Sequence, residues 1–143
     1  MLESIFTACS TLAMLGWAAL IFRPRHRQAH LLAAVVIPFA IGVVYLVLIA
    51  RHFGRSAGGF GSLSDVALLF SNPAMLLAGW VHYLAFDLFI GAWETRDAQR
   101  HGIPHLLLVP CLMLTFLFGP IGLLSYWGLR TWRTRSLQLT VEP

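Results

Sequence analysis

The sequence contains no lysine and few charged residues of any kind, and this scarcity excludes most soluble proteins. Only 11% of its 143 residues are charged, whereas 58% are hydrophobic and the mean hydropathy is +0.75. A soluble domain of average composition has about a quarter of its residues charged. The composition therefore indicates an integral membrane protein. The length suits a single domain, 1–143, in which helices pack mainly against other helices.

All ten basic residues are arginines, and they lie at the ends of apolar runs. The formal net charge of +4 would be compatible with a nucleic-acid-binding protein. Arginines at the ends of apolar runs are instead typical of contacts with phospholipid head groups. We therefore expect the lipid bilayer as a partner and no nucleic acid, and the sequence leaves oligomerisation open.

Cysteine is scarce, and the usual signs of a cleaved signal peptide are missing. Cys9 and Cys111 both lie inside apolar segments, so they form neither a disulfide framework nor a metal-binding spacing. Residues 1–22 have no basic start and no small-residue cleavage site after the apolar stretch. We therefore expect that the first apolar segment is retained as a membrane helix.

Four apolar segments are long enough to cross ~30 Å of hydrocarbon as helices. We place these spans at about 4–22, 31–50, 74–93 and 106–129. Residues 62–70 form an amphipathic pattern that is too short to span, so we expect a helix that lies on the membrane surface. The predicted fold is an all-α integral membrane protein, with four transmembrane helices in two hairpins and a short interfacial helix between helices two and three.

Local signals set the ends of the third helix and the shape of the fourth. Asn72 supplies a capping side chain directly before Pro73, which suits the first helical position. The helix should continue to about Arg100, because the Gly-Ile-Pro sequence after His101 ends it. In the fourth span we expect kinks at two prolines, Pro110 and Pro120.

The arginines of a four-span arrangement do not decide its orientation. Five of them lie on the side of the two short connections, 23–30 and 94–105, and five lie on the other side. The dense first connection favours the cytoplasm for both short connections, which would place both termini outside.

Helix three carries a polar stripe that includes a carboxyl group deep in the predicted membrane. Tyr83, Asp87, Glu94 and His101 fall within about 40° of one another around the helix axis. Asp87 lies about 20 Å along the axis from the start of the helix. An acidic residue at that depth costs about 3 kcal/mol on insertion scales and usually has a function. We expect its protonated form to act as a proton donor.

Other polar residues of this region have a structural interpretation beside the functional one. A lone histidine such as His82 is more often bonded to a backbone carbonyl than used as a ligand. Four charged residues at the predicted membrane edge are typical of a solvated turn, namely Glu94, Arg96, Asp97 and Arg100.

Two kinds of chemistry fit the polar residues. Acid-base chemistry would use Asp87 and Glu94, which are about 10.5 Å apart along the axis. A weaker alternative is a divalent metal such as iron, zinc or manganese, although no known ligand spacing is present. Its ligands would be His82, Asp87, Glu94, Asp97 and His105. We expect no cofactor, and a divalent metal ion is the alternative.

The segments GWVHYLAFDLF (79–89) and WETRDAQRHGIPH (93–105) are distinctive. The region around them closely resembles the neoxanthin synthase (abscisic-acid-deficient four) family of small membrane proteins. The resemblance implies a four-helix membrane fold and, for the plant members, conversion of violaxanthin to neoxanthin in the plastid. No Ser- and Arg-rich transit segment precedes the first span, so the chain resembles a bacterial-type member and is expected in the bacterial inner membrane.

The resemblance implies an isomerase that acts on a carotenoid or a related isoprenoid inside the membrane. In such a reaction Asp87 would be the acid, and Glu94 or His82 would be the base. The expected substrate-binding residues are Trp80, Tyr83, Arg96, Asp97 and His105. The alternative is a non-catalytic membrane module that binds a carotenoid or assists a carotenoid-pathway enzyme. Ion conduction is disfavoured because only one span carries deep ionisable groups.

Overall fold

The computed structural model describes residues 1–135, which are helical and contain no β-strand. A π-helical turn (Leu32–Val36) joins the second helix to the third, and a 3-10 turn (Phe53–Arg55) follows the third. The helices are α1 (Leu2–Phe22), α2 (Arg27–Leu31), α3 (Ile37–His52), α4 (Leu63–Phe70), α5 (Pro73–Arg100), α6 (His105–Phe118) and α7 (Pro120–Thr134).

Three helical stretches are long and apolar enough to cross a membrane, and they correspond to the first three predicted spans. They are α1, the continuous stretch Arg27–Arg55, and α5. The π-helical turn in the second stretch ends two residues before Pro38, which has no backbone N–H to donate to the helix before it. This turn therefore lets the helix continue through the proline.

The predicted ends of α5 are confirmed. The Asn72 side chain accepts a hydrogen bond from the backbone N–H of Ala74 at 2.9 Å, and Pro73 occupies the first turn. The helix ends at Arg100, and Gly102 then adopts a φ of +63°. The predicted helix before α5 is also present, and its N-cap Ser62 accepts a hydrogen bond from the backbone N–H of Asp65.

Helix α5 is the centre of the bundle and packs against α1, α3 and α6. Two glycines permit its close approach to α1. Gly91 of α5 lies against the Trp17 ring, and Gly16 of α1 lies against the Leu88 side chain. The order of these contacts along both helices shows that α1 and α5 run in the same direction. The two helices are therefore in register along most of α1.

The predicted fourth span, 106–129, is wrong as a single helix. The helix stops at Phe118. Gly119 then adopts a φ of +48°, a backbone conformation that residues other than glycine rarely adopt. Pro120 then begins α7 as its first residue. Helix α6 has 14 residues, a length of about 21 Å, which is too short to cross ~30 Å of hydrocarbon. The prediction failed because hydropathy does not register a reversal of direction inside an apolar run.

Helices α6 and α7 form a hairpin whose two ends lie at the same end of the helical bundle. Gly122 of α7 packs directly on the backbone of Thr115 in α6, which is possible only if the chain doubles back. Gly119 at the tip lies beside Asp87, halfway along α5. Arg130, near the end of α7, contacts Asp97 near the end of α5. Both ends of the hairpin therefore lie at the C-terminal end of α5.

Candidate functional site

Asp87 faces the break between α6 and α7. A Cβ atom added to Gly119 would lie 3.0 Å from the Asp87 Oδ1 atom, so the carboxyl group sits against the tip of the hairpin. The Asp87 Oδ2 atom is buried and has no hydrogen-bond partner among the described residues. Buried polar atoms without a partner are rare and costly. Because no described residue forms a hydrogen bond with this oxygen, it is available to a ligand or to a proton.

An apolar cavity of about 860 Å³ lies beside the same part of α5. Tyr83, one helical turn before Asp87, lines this cavity together with Trp80 and Phe116. The Tyr83 hydroxyl donates a hydrogen bond to the Phe116 carbonyl oxygen at 3.1 Å, and this bond links α5 to α6. The Trp80 indole N–H donates to the Ser10 hydroxyl at 3.1 Å. Asp87 is not itself a lining residue, but the cavity wall one helical turn away from it is aromatic and held in place by hydrogen bonds.

Glu94 lies in the interior, where its side chain contacts Thr115 of α6. It is 0% exposed, so the solvated turn expected there is wrong for this residue. The Thr115 Oγ atom is 3.0 and 3.1 Å from the two carboxyl oxygens and 3.0 Å from the Cys111 carbonyl oxygen. No ion pair to Glu94 is present among residues 1–135. The Thr115 hydroxyl has one proton, so it can donate to Glu94 or to the Cys111 carbonyl oxygen but not to both at once.

Asp97 belongs to a buried ion pair that joins α5 to α7. The Arg130 Nε atom lies 2.8 Å from the Asp97 Oδ2 atom, and the Tyr126 hydroxyl donates to the same oxygen at 2.5 Å. His101 adds a contact of 3.5 Å from its Nδ1 atom to the Asp97 Oδ1 atom. Asp97 is 4% exposed, so the expected solvated turn is wrong here as well. Its neighbours indicate that it fastens the hairpin to α5.

The remaining predicted site residues lie on other faces. His82 is exposed, and its ring stacks on Phe86 at 4.6 Å and approaches Tyr45 at 5.5 Å. It lines the apolar cavity on the side of α3. The His105 Nε2 atom is 2.8 Å from the Ile21 carbonyl oxygen, which connects α6 to the end of α1. Arg96 is exposed.

The five residues of the metal alternative do not form one cluster. The part of the chain that the structure describes contains no group of three or more His, Cys, Asp or Glu residues that could hold a metal ion. The residues instead lie in separate surroundings, with His82 beside α3, Asp87 at the hairpin tip and Asp97 in the ion pair. This ligand set therefore does not fit a single metal ion.

Sequence reasoning missed three residues that contact Glu94 or Asp97 of α5. They are Thr115, Tyr126 and Arg130. Tyr126 and Arg130 are four residues apart, a spacing that places both on one face of a helix. That spacing is a signal that both side chains could contact the same neighbouring helix. However, Arg130 falls just beyond the predicted span 106–129, which places it on the opposite side of the membrane from Asp97.

Comparisons with known proteins agree with the sequence resemblance. The family model described as ABA DEFICIENT 4-like matches residues 4–126. The chain is 24% identical to Protein ABA DEFICIENT 4, chloroplastic, of Arabidopsis thaliana. The alignment covers 87% of this chain, which spans 60% of the length of that relative. No solved structure matches the chain. The family match extends over most of the sequence, and the chain therefore belongs to the ABA4-like family.

Proposed function

We propose that the protein is a membrane-embedded isomerase that acts on a carotenoid or a related isoprenoid by acid-base chemistry. Family membership supports a role in carotenoid metabolism. The observation that carries the proposal is the buried, unpartnered Oδ2 atom of Asp87 at the hairpin tip, next to the aromatic wall of an apolar cavity. A hydrophobic substrate would occupy the cavity, and its polar group would contact Asp87.

The proposed membrane arrangement has three spans rather than four. Helix α1, the stretch Arg27–Arg55 and α5 would cross the bilayer, in keeping with their length and apolar composition. The α6–α7 hairpin would enter from the C-terminal end of α5 and leave on the same side. Non-helical backbone at membrane depth is tolerated where protein covers it, and Gly119 at the tip is buried.

This arrangement changes the distribution of arginines and predicts the orientation. Eight would lie at the C-terminal end of α5, whereas only Arg51 and Arg55 would lie at the other end. The positive-inside rule then places the arginine-rich end in the cytoplasm. In a chain with both native cysteines replaced by alanine, a cysteine from Gly59→Cys should react with an impermeant thiol reagent added outside intact cells. A cysteine from Arg135→Cys should stay protected until the cells are opened.

A continuous fourth span would give a different labelling pattern, because Gly59 and Arg135 would then lie on the same side. Equal labelling of the two cysteines from outside would therefore contradict the hairpin. The variant Gln28→Cys is the matched control for protection, since Gln28 is exposed at the arginine-rich end of the molecule.

The proposed reaction needs only proton transfers. Protonation of an epoxide oxygen promotes cleavage of its C–O bond, and loss of a proton from the neighbouring polyene carbon completes an allenic alcohol. Substrate and product have the same atoms, and no electrons are gained or lost. Asp87 would supply the first proton. Of the two proposed bases, His82 lines the cavity and Glu94 does not, so His82 has the more direct approach to a bound ligand.

The second candidate function is a membrane module that binds a carotenoid without changing it. The apolar lining of the cavity, which includes Trp80 and Phe116, favours this function as much as it favours catalysis. The two candidates differ in what they require of Asp87. A binding module would tolerate asparagine at this position, because the amide has nearly the same shape.

Pigment analysis separates the two candidates. In a host that makes epoxidised carotenoids, the natural chain should produce an isomer with the mass of its precursor. Asp87→Asn should reduce the yield roughly 100-fold or more, the usual contribution of a general acid. Chromatography of extracted pigments measures both yields. Asp65→Asn is the matched control, because Asp65 lies at the start of α4, where its carboxyl group accepts a hydrogen bond from the hydroxyl of the capping serine.

An unchanged pigment profile with the natural chain, together with carotenoid that copurifies with the protein, would favour the binding module. An isomer yield from Asp87→Asn equal to that of the natural chain would remove Asp87 from the reaction.

A further inference from the structure

A second cavity, of about 990 Å³, opens at the C-terminal end of α5. The connection between α1 and α2 forms one wall through Arg23, Arg25 and His26. The end of α5 and the start of α6 form the other wall, which includes Gln99 and His105. This cavity is separate from the apolar cavity near Asp87, and nothing in the proposed reaction uses it.

The lining of this cavity combines exposed arginines with apolar side chains. Among residues 1–135, two arginines and no aspartate or glutamate line it. The nearby carboxylate of Asp97 is already engaged by Arg130. Apolar side chains of Phe22, Ile103 and Leu108 also line the cavity. The cavity therefore attracts anions and also offers a surface to hydrocarbon.

Several contacts hold the arginine-bearing connection in place without a ligand. The His30 Nε2 atom lies 2.5 Å from the Pro24 carbonyl oxygen, and the Gln99 amide donates to the same oxygen. His105 contacts the Ile21 carbonyl oxygen at 2.8 Å, which joins α6 to the other end of the connection. A site held in this way loses little conformational freedom when it binds a ligand.

We propose that this cavity binds the phosphate head group of an anionic phospholipid. The cavity lies at the ends of helices that are long and apolar enough to cross a membrane, where head groups are found. Phe22 at its edge is 80% exposed, which suits contact with an acyl chain but not with a free ion in water. Basic pockets between membrane helices bind such head groups elsewhere. The inference rests on the proposed membrane arrangement and not on the proposed isomerase activity.

Lipid titration of the purified full chain tests this site. Native mass spectrometry should show phosphatidylglycerol bound more tightly than phosphatidylcholine. The double variant Arg23→Gln/Arg25→Gln should bind phosphatidylglycerol roughly 25-fold more weakly, about fivefold for each arginine. The matched control is Arg51→Gln/Arg55→Gln, which removes the two arginines at the opposite end of the molecule and should leave the affinity within twofold.

Equal binding of both lipids, or an unchanged affinity in Arg23→Gln/Arg25→Gln, would overturn the proposal. Displacement of phosphatidylglycerol by inorganic phosphate at an equal concentration would also overturn it, because the site would then recognise a free anion. Circular dichroism of each variant establishes that it is folded. The measurement reads lipid binding alone, so a failure of the isomerase proposal would not alter its result.

Discussion

Arg130→Met is expected to destabilise the protein by about 3–5 kcal/mol, the usual cost of removing one member of a buried ion pair. The substitution would leave the Asp97 carboxylate buried beside the Tyr126 hydroxyl, without the guanidinium that lies 2.8 Å away. It would also free the end of α7 from α5. Titration with a denaturing detergent in mixed micelles measures the change in the free energy of unfolding.

Two further variants show whether the loss arises from the unpaired charge. Arg133→Met removes an exposed arginine from the same helix and should change the free energy of unfolding by no more than about 0.5 kcal/mol. The double variant Asp97→Leu/Arg130→Met should recover much of the loss, because apolar replacement of a whole pair is often neutral. A loss below about 1 kcal/mol for Arg130→Met would contradict a buried, charged Asp97.

Gly122→Ala should open the α6–α7 hairpin at a cost of about 3 kcal/mol, the upper end of the range for overpacking. The new methyl group would overlap the backbone N and Cα atoms of Thr115, which cannot move aside as a flexible side chain would. Opening the hairpin would also pull Gly119 away from Asp87. Both the free energy of unfolding and the isomer yield should therefore fall.

The same helix provides a matched control for this substitution. A Cβ atom at Gly128 would meet no atom within 4 Å, so Gly128→Ala should stabilise α7 by up to about 1 kcal/mol through helix propensity. Similar stabilisation by Gly122→Ala would mean that α6 and α7 do not pack together at this point.

Local sequence signals were sufficient to predict α5 from end to end. Its N-cap, its first-turn proline and the glycine after its last turn each act within a few residues, so no knowledge of the rest of the chain is needed. The hairpin at Gly119 could not be predicted in the same way. A kink and a full reversal both begin with Gly-Pro, and contacts such as those of Gly122 with Thr115 and of Arg130 with Asp97 distinguish them.

The sequence was sufficient to predict which polar residues share one face of α5, but not which residues of α6 and α7 contact them. Tyr83, Asp87 and Glu94 share one face of α5, as the helical period indicated, and the structure shows that this face contacts α6 and the tip of the hairpin. The partners of Glu94 and Asp97 come from α6 and α7. The sequence does not show which residues of these two helices lie beside which residues of α5. A single straight span over residues 106–129 would place Arg130 on the opposite side of the membrane from Asp97. In the structure these two residues form an ion pair.

The rate of isomerisation by purified protein tests the role of Asp87 most directly. With an epoxidised carotenoid in lipid nanodiscs, the initial rate for Asp87→Asn should be roughly 100-fold or more below that of the natural chain. Asp65→Asn should retain the natural rate. An Asp87→Asn rate within twofold of the natural chain would contradict the assignment of the buried carboxyl group at the hairpin tip as the acid.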